Sequence, residues 1–295
     1  ARVRARRIEH VKVVPTSGGL DIEALLAEFA ATFEDRTDLE GAAIAAAGPV
    51  QDGTVRLTNA DVTIRADEVR DVLQRPVRLM NDLEAVAWAL PHLTPLDLRP
   101  VRECEMPLGG GKLAINIGTG FGAALLLETP DGAYACGLEP GHMKLATPRA
   151  CPPGQPTAQL SIEDGLAGKT LANPERVAAL WGWAPPSHMR AGDLFSAARD
   201  AADGQSFINA FSAVFGQVCG DLVLATGAWG GVTTTGSVAT AWLNAADLQA
   251  FNRAFCDKGP MSARMARVPV QHIVTDHPAL VGLSAVPLDG GLLQR

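Results

Sequence analysis

The chain has 295 residues, 47% of them hydrophobic and 19% charged, so it can bury a sizeable core and does not read as disordered. A net charge of −7 argues against nucleic acid as the main partner, and no run of apolar residues reads as long enough to span a bilayer. The five cysteines, Cys104, Cys136, Cys151, Cys219 and Cys256, are scattered with no C-x-x-C pair. That pattern favours reduced thiols in a cytoplasmic protein over disulfides or a zinc site.

Ala1–Arg7 alternates Val3 and Ala5 with Arg2, Arg4 and Arg6, the pattern of a half-exposed strand. Glu9–Val14 is a second strand candidate. Leu20, Leu25, Leu26, Phe29 and Phe33 mark one face of a helix that Asp21 is placed to start. Gly41–Ala47 reads as a buried strand closing at Gly48-Pro49, Val55–Asn59 as a short strand, and Asp67–Leu73 as a short helix. Val77–Met80 is a strand with Asn81-Asp82 at its carboxyl end, and Leu83–Leu90 resumes a helical pattern. This alternation predicts an α/β domain with a parallel or mixed sheet, in which ligands gather at the carboxyl ends of strands. Position alone leaves Asp82 divided evenly between a functional role and capping the helix that follows.

Thr94–Gly111, rich in proline and glycine, reads as a linker. Leu113–Ile117 and Ala123–Leu127 are apolar strands around Gly118-Thr119-Gly120-Phe121-Gly122, and Thr129-Pro130-Asp131-Gly132 is a turn. The glycines have neither the spacing nor the following helix of a dinucleotide fingerprint. Within a hairpin they expose backbone N–H groups to an anion, with the Thr119 hydroxyl beside them. On spacing alone an ordinary hairpin turn is slightly the better explanation. In the loop Gly137–His142, Glu139 and His142 make a weak metal pair, since no third ligand is near. They serve as well to hydrogen-bond a polyol, or as unrelated residues of a surface loop. Ser161 is the expected N-cap of a helix with Asp164 completing a capping box. Gly165–Thr170, GLAGKT, fails as a P-loop because Glu163 stands where the first glycine is required and no strand precedes it. Beyond it, Asp193–Asp203 and the strongly apolar Phe207–Gly227 read as helices. Gly230–Ser237 reads as a strand, Asp247–Phe255 as a helix, Val268–Val274 as a strand and Pro278–Val286 as a last helix.

Taken in order, several stretches resemble bacterial ATP-dependent glucokinase, of the non-zinc branch of the hexokinase and actin-like superfamily. They are AAAGPV (Ala45–Val50), LTN (Leu57–Asn59), LMNDLEAVAWALPHL (Leu79–Leu93), IGTGFG (Ile117–Gly122), GLEPGH (Gly137–His142) and SIEDGLAG (Ser161–Gly168). GDLVLATGAWGGVTTTG (Gly220–Gly236) and FCDKGPMSARMARVPV (Phe255–Val270) complete the series. No one motif is decisive; their order and spacing together are specific.

The resemblance implies an α/β protein with a duplicated ribonuclease H-like, actin-like ATPase fold in two lobes with a cleft between them. Residues 1–93 would form the small domain, with 277–295 returning to it, and 94–276 the large one. It implies ATP-dependent phosphorylation of glucose to glucose 6-phosphate at the entry to glycolysis, in the cytoplasm. Asp82 would be the general base. Asn59, Asn81, Asp82, Glu139, His142 and Glu163 would bind the sugar. Gly118, Thr119 and Gly120 would hold the phosphates of ATP, Gly236 would lie near the adenosine, and Mg²⁺ would bridge the phosphates. No metal ligand from the protein, no nucleic acid and no membrane are implied, and a homodimer is allowed. Val62, Pro140, Lys144, Lys169, Thr170 and Ser237 depart from the family pattern. The family opens with a strand and a D-x-G-G-T-N turn, which the resemblance places ahead of Ala1. The expected alternative is a non-catalytic glucose-binding relative, a sensor or scaffold, that lacks this motif.

Overall fold

The computed structural model describes residues 1–15, 21–33, 39–57, 62–145, 160–187 and 189–288. It divides into two compact units, one of Ala1–Leu93, Thr129–Ala135 and Asp276–Arg295, the other of Thr94–Glu128 and Cys136–Thr275.

In the first unit, β1 (Arg2–Arg4) and β2 (Arg7–Glu9) pair as a hairpin with Arg2 opposite Glu9. Ala5 and Arg6 turn the chain with φ of 47° and 63°, the two left-handed positions that match the twist of a two-residue hairpin. That turn fixes the second strand at Arg7–Glu9, so the strand expected over Glu9–Val14 does not form. Helix α1 (Ile22–Ala31) is capped by Asp21, whose carboxylate accepts from Ala24 N at 2.8 Å. Strand β3 (Ala42–Ala46) is followed by a short antiparallel meander, β4 (Val50–Gln51), β5 (Thr54–Arg56) and β6 (Thr63–Arg65). Then come α2 (Ala66–Leu73), β7 (Val77–Asn81) and α3 (Asp82–Ala89). Strands β3 and β7 run parallel and bring Ala46 opposite Asn81. Ala46, Val55, Val62, Ile64 and Val69 form the buried core, with Leu26, Ile44, Val77 and Leu79 packed on it. The predicted strand over Val55–Asn59 is therefore β5, ending at Arg56; Thr58 and Asn59 lie outside the described residues.

The second unit contains β8 (Leu98–Arg102), β9 (Lys112–Ile117) and, apart from their hairpin tip Thr129–Ala135, β10 (Phe121–Thr129) and β11 (Gly132–Leu138). After them run α4 (Ile162–Leu166), α5 (Gly168–Leu171), α6 (Pro174–Trp181), α7 (Leu194–Asp200) and α8 (Gly204–Thr226). The unit continues with β12 (Gly231–Thr235), α9 (Ser237–Leu243), α10 (Leu248–Cys256), α11 (Ser262–Met265) and β13 (Val270–Ile273). The sheet order is β11-β10-β9-β12-β13-β8. Strand β12 is parallel to both β9 and β13, while β8 closes the edge antiparallel to β13. Thr94–Gly111 is thus not wholly a linker. Pro100 interrupts its alternation, and proline is tolerated there because the strand is an edge.

Helix α8 also corrects the expectation that no apolar segment could span a bilayer, since by length and composition this one is able to. Its apolar residues are instead spent on the core. Phe207, Phe211 and Phe215 recur every four residues and are fully buried, the stripe of an amphipathic helix. Phe215 meets Trp242 edge-on at 4.8 Å and Phe251 at 5.3 Å, geometries that aromatic quadrupoles favour. The Trp242 indole N–H donates to the buried Ser212 hydroxyl at 2.9 Å, so the ring is buried without stranding its donor.

Helix α3, which begins at Asp82, is seated by the helix Pro278–Leu283. A Cβ at Gly282 would stand 1.7 Å from the Ala85 carbonyl oxygen, so the two backbones touch where any side chain would intervene. Gly282→Ala should therefore destabilise the chain by about 1–3 kcal/mol through overpacking. Urea unfolding followed by circular dichroism measures this, and an unchanged midpoint would refute the close-contact account.

Candidate active site

Asn81 and Asp82 stand where β7 passes into α3. Asn81 is the N-cap: its amide oxygen accepts from Leu83 N at 2.9 Å, and its amide nitrogen donates to Gly48 O at 3.1 Å. Glu84 closes the capping box by accepting from Asn81 N at 3.2 Å. Capping therefore falls to Asn81, and Asp82 occupies the first helical position with its carboxylate accepting from Leu83 N at 2.9 Å. Burial pushes the Asp82 carboxyl above its ordinary value, against the opposing pull of the Leu83 N–H, which makes it a stronger base than a solvated aspartate. Asn59 lies outside the described residues.

The second unit brings together most of the remaining residues. Parallel neighbours β9 and β12 end on the same side, so the turn Gly118–Gly120 and Gly236 lie together. A Cβ on Gly236, whose φ is +101°, would stand 2.4 Å from both Asn116 Oδ1 and Ile117 O. The carbonyls of the turn are all used: Gly118 O accepts from Gly168 N at 2.8 Å, Thr119 O from Lys169 N at 3.1 Å and Gly120 O from Gly118 N at 3.1 Å. The N–H groups of Thr119 and Gly120 have no protein acceptor among the described residues. The turn thus offers donors with its acceptors spent, the electrostatic character of an anion nest.

Glu163, in α4, is the hub of this region. Ser161 caps that helix and forms the expected box with Asp164. One Glu163 oxygen accepts from Phe121 N at 2.9 Å, and the other is ion-paired with the Lys169 ammonium. Burial alone would raise its carboxyl; Lys169, the Phe121 N–H and the charge of His142 outweigh burial and hold it below its ordinary value. A Cβ at Gly120 would come within 2.8 Å of the same carboxylate, so the turn must be glycine for Glu163 to lie against it.

The loop Glu139–His142 reaches the same place. Gly141 packs against Phe121 O and Glu163 Oε2, and Met143 O accepts from Ile162 N at 2.8 Å. Glu139 and His142 are exposed, and among the described residues neither side chain has a protein hydrogen-bond partner. Among the described residues no group of three or more His, Cys, Asp or Glu side chains could hold a metal ion.

Sequence reasoning missed two groups here. Lys169 was legible only as part of the failed P-loop match and as a departure from the family pattern, with no role assigned. His272, in β13, is buried between the Thr234 hydroxyl at 2.9 Å from Nδ1 and the Thr240 hydroxyl at 3.0 Å from Nε2. The same hydroxyls also reach backbone carbonyls, Thr240 donating to Gly236 O at 3.0 Å and Thr234 to Gln271 O at 3.2 Å. Burial, with the Arg99 charge second, pushes this imidazole down to about 4, so it is neutral at physiological pH.

Two α/β units, one with a mixed six-stranded sheet whose central strands β9, β12 and β13 run parallel and end beside a glycine turn, are the architecture of the actin-like ATPase class of sugar kinases. Solved structures agree with that fold. Glucokinase from an Antarctic psychrotroph superposes with a TM-score of 0.80 at 24% identity, covering 97% of this chain and 92% of that one. Glucokinase from Balamuthia mandrillaris in complex with glucose gives 0.65 at 16% identity, covering 89% and 82%. The Glucokinase family model matches residues 2–289. Glucokinase of Caulobacter vibrioides is 32% identical over 253 residues, 82% of this chain and 76% of that protein. That of Cupriavidus metallidurans is 28% identical over 303 residues, covering 96% and 87%. The chain belongs to the glucokinase family.

Because the Glu163 carboxyl is held below its ordinary value of 4.5, its ionised form stabilises the fold above that pH. The contribution is lost as pH falls through the lowered value. Glu163→Gln should cost roughly 1 kcal/mol at neutral pH, the half-exposed lysine contributing little. The gap to wild type should narrow on acidification below 4.5. Urea titrations across that range measure it; a gap independent of pH would show that the charge is not what matters.

Proposed function

We propose that this chain transfers the γ-phosphoryl group of ATP to the 6-hydroxyl of glucose, giving glucose 6-phosphate at the entry to glycolysis. The observation that carries the reading is Asp82: a desolvated carboxylate at the carboxyl end of a parallel strand, relieved of capping by Asn81. In the reaction the 6-hydroxyl oxygen attacks the γ-phosphorus while its proton passes to the Asp82 carboxylate. The bond from that phosphorus to the β–γ bridging oxygen breaks, and ADP leaves. Little other covalent chemistry is asked of the protein, so positioning and charge stabilisation do the rest.

The sugar hydroxyls are bound by Asn59, Asn81, Glu139, His142 and Glu163. Glu139 and His142 suit this because their side chains are exposed and uncommitted. Asn81 keeps one lone pair on its amide oxygen beyond the one used in the cap. Thr119 and Gly120 supply N–H donors for the nucleotide phosphates, beside Gly118, and Gly236 lies at the adenosine end. Mg²⁺ enters with ATP as part of the substrate and neutralises charge on its phosphates. Free thiols at Cys104, Cys136, Cys219 and Cys256 support a reducing, cytoplasmic location.

A coupled assay for glucose 6-phosphate tests the whole reading; glucose binding without turnover would favour a non-catalytic relative. Asp82→Asn should lower turnover by about 10²–10⁴ while glucose affinity stays within several-fold. Near wild-type turnover in that variant would remove Asp82 from the reaction. Glu139→Gln or His142→Ala should weaken glucose binding by about 1.5–3 kcal/mol each, measured by calorimetry. Stoichiometric zinc lost on His142→Ala would instead revive a metal role for the pair.

A further inference from the structure

Lys169 approaches the glycine turn twice. Its backbone N–H donates to Thr119 O at 3.1 Å, which fixes its Cα beside the turn, and its ammonium sits on Glu163 Oε1. Half of its side chain is exposed, 50%, against 17% for Glu163. An ammonium has three donors, and among the described residues Glu163 is the only side chain it pairs with. The same turn carries the two N–H groups, of Thr119 and Gly120, that no acceptor among the described residues uses.

We infer that Lys169 is a phosphate-binding residue of this site, whose ammonium leaves Glu163 to contact the terminal phosphoryl group of the bound nucleotide. The inference rests on the kinase reading above and assigns a contact that the glycine turn alone does not supply. A half-exposed lysine–carboxylate pair is weak, whereas a terminal phosphoryl group carries more charge and three acceptor oxygens. The exchange is therefore favourable once the turn's N–H groups have engaged the same anion. Glu163 does not swing away when the lysine leaves, because its other oxygen stays on the Phe121 N–H. The oxygen set free is an acceptor for a sugar hydroxyl. One side chain thus gains a phosphate contact and exposes a sugar contact in the same movement.

The test is calorimetric binding of the ATP analogue AMP-PNP with Mg²⁺, and of adenosine, to wild type, Lys169→Met and Lys169→Arg. The methionine variant should bind AMP-PNP about ten- to a hundredfold more weakly, the loss expected for one charge-assisted hydrogen bond. Adenosine affinity should not change, and arginine should restore AMP-PNP binding to within several-fold. Thermal melts establish that both variants are folded, as an exposed position predicts. AMP-PNP affinity unchanged by Lys169→Met overturns the inference. So does an equal loss for adenosine, or an arginine variant as weak as the methionine one. The kinase reading is judged separately on the wild-type chain: no glucose 6-phosphate there would remove that reading and this role together. Turnover with unaltered AMP-PNP binding by Lys169→Met would remove this role alone.

Discussion

Glu163 brings a negative charge against the ends of the central strands, where most of its side chain is shut off from water. A carboxylate in that position must be met by donors or give up its charge. It is met from two directions, by the Phe121 N–H at the start of β10 and by the Lys169 ammonium from the next helix, α5. The glycine turn cannot sit where it does without this arrangement, because Gly120 closes on the same carboxylate. The loop bearing Glu139 and His142 packs through Gly141 onto Phe121 O and Glu163 Oε2. Three separate segments thereby share one anchor, which is why a region assembled from loops can hold a defined geometry.

The first unit solves a related problem by dividing labour between neighbours. The start of α3 needs acceptors for its free N–H groups, and an aspartate there would ordinarily be spent on them. Asn81 and Glu84 take up that duty as a capping box, which leaves Asp82 to accept from Leu83 N and the Asn81 amide. The desolvation that raises its basicity comes from the same placement, at the end of a parallel strand with Ala46 opposite Asn81.

Much of this was legible in the sequence where local rules decide. Asp21 and Ser161 announce their helices by capping chemistry, and the apolar runs on either side of Gly118–Gly122 give β9 and β10 directly. Legibility failed where tertiary context overrode the local signal. Strand β8 hides behind Pro100, which only an edge position excuses. The hairpin of β1 and β2 turns on Ala5 and Arg6, residues with no turn signature, and β4 to β6 are too short to show a period. At the site, the spacing of GLAGKT rightly excludes a P-loop, yet its lysine still arrives at the glycine turn through folding. His272 gives no sign in its own segment, because its partners Thr234 and Thr240 lie on other elements.

Helix α8 carries a further consequence, for the order in which the chain can fold. Its apolar stripe is as hydrophobic as a membrane segment, and part of its cover, Trp242 and Phe251, follows it in the chain. During synthesis from the amino terminus the helix therefore emerges before those aromatic partners exist, with Phe215 unprotected. The second unit can close only after α10 has been made, so until then this apolar stretch is available to chaperones or to neighbouring chains.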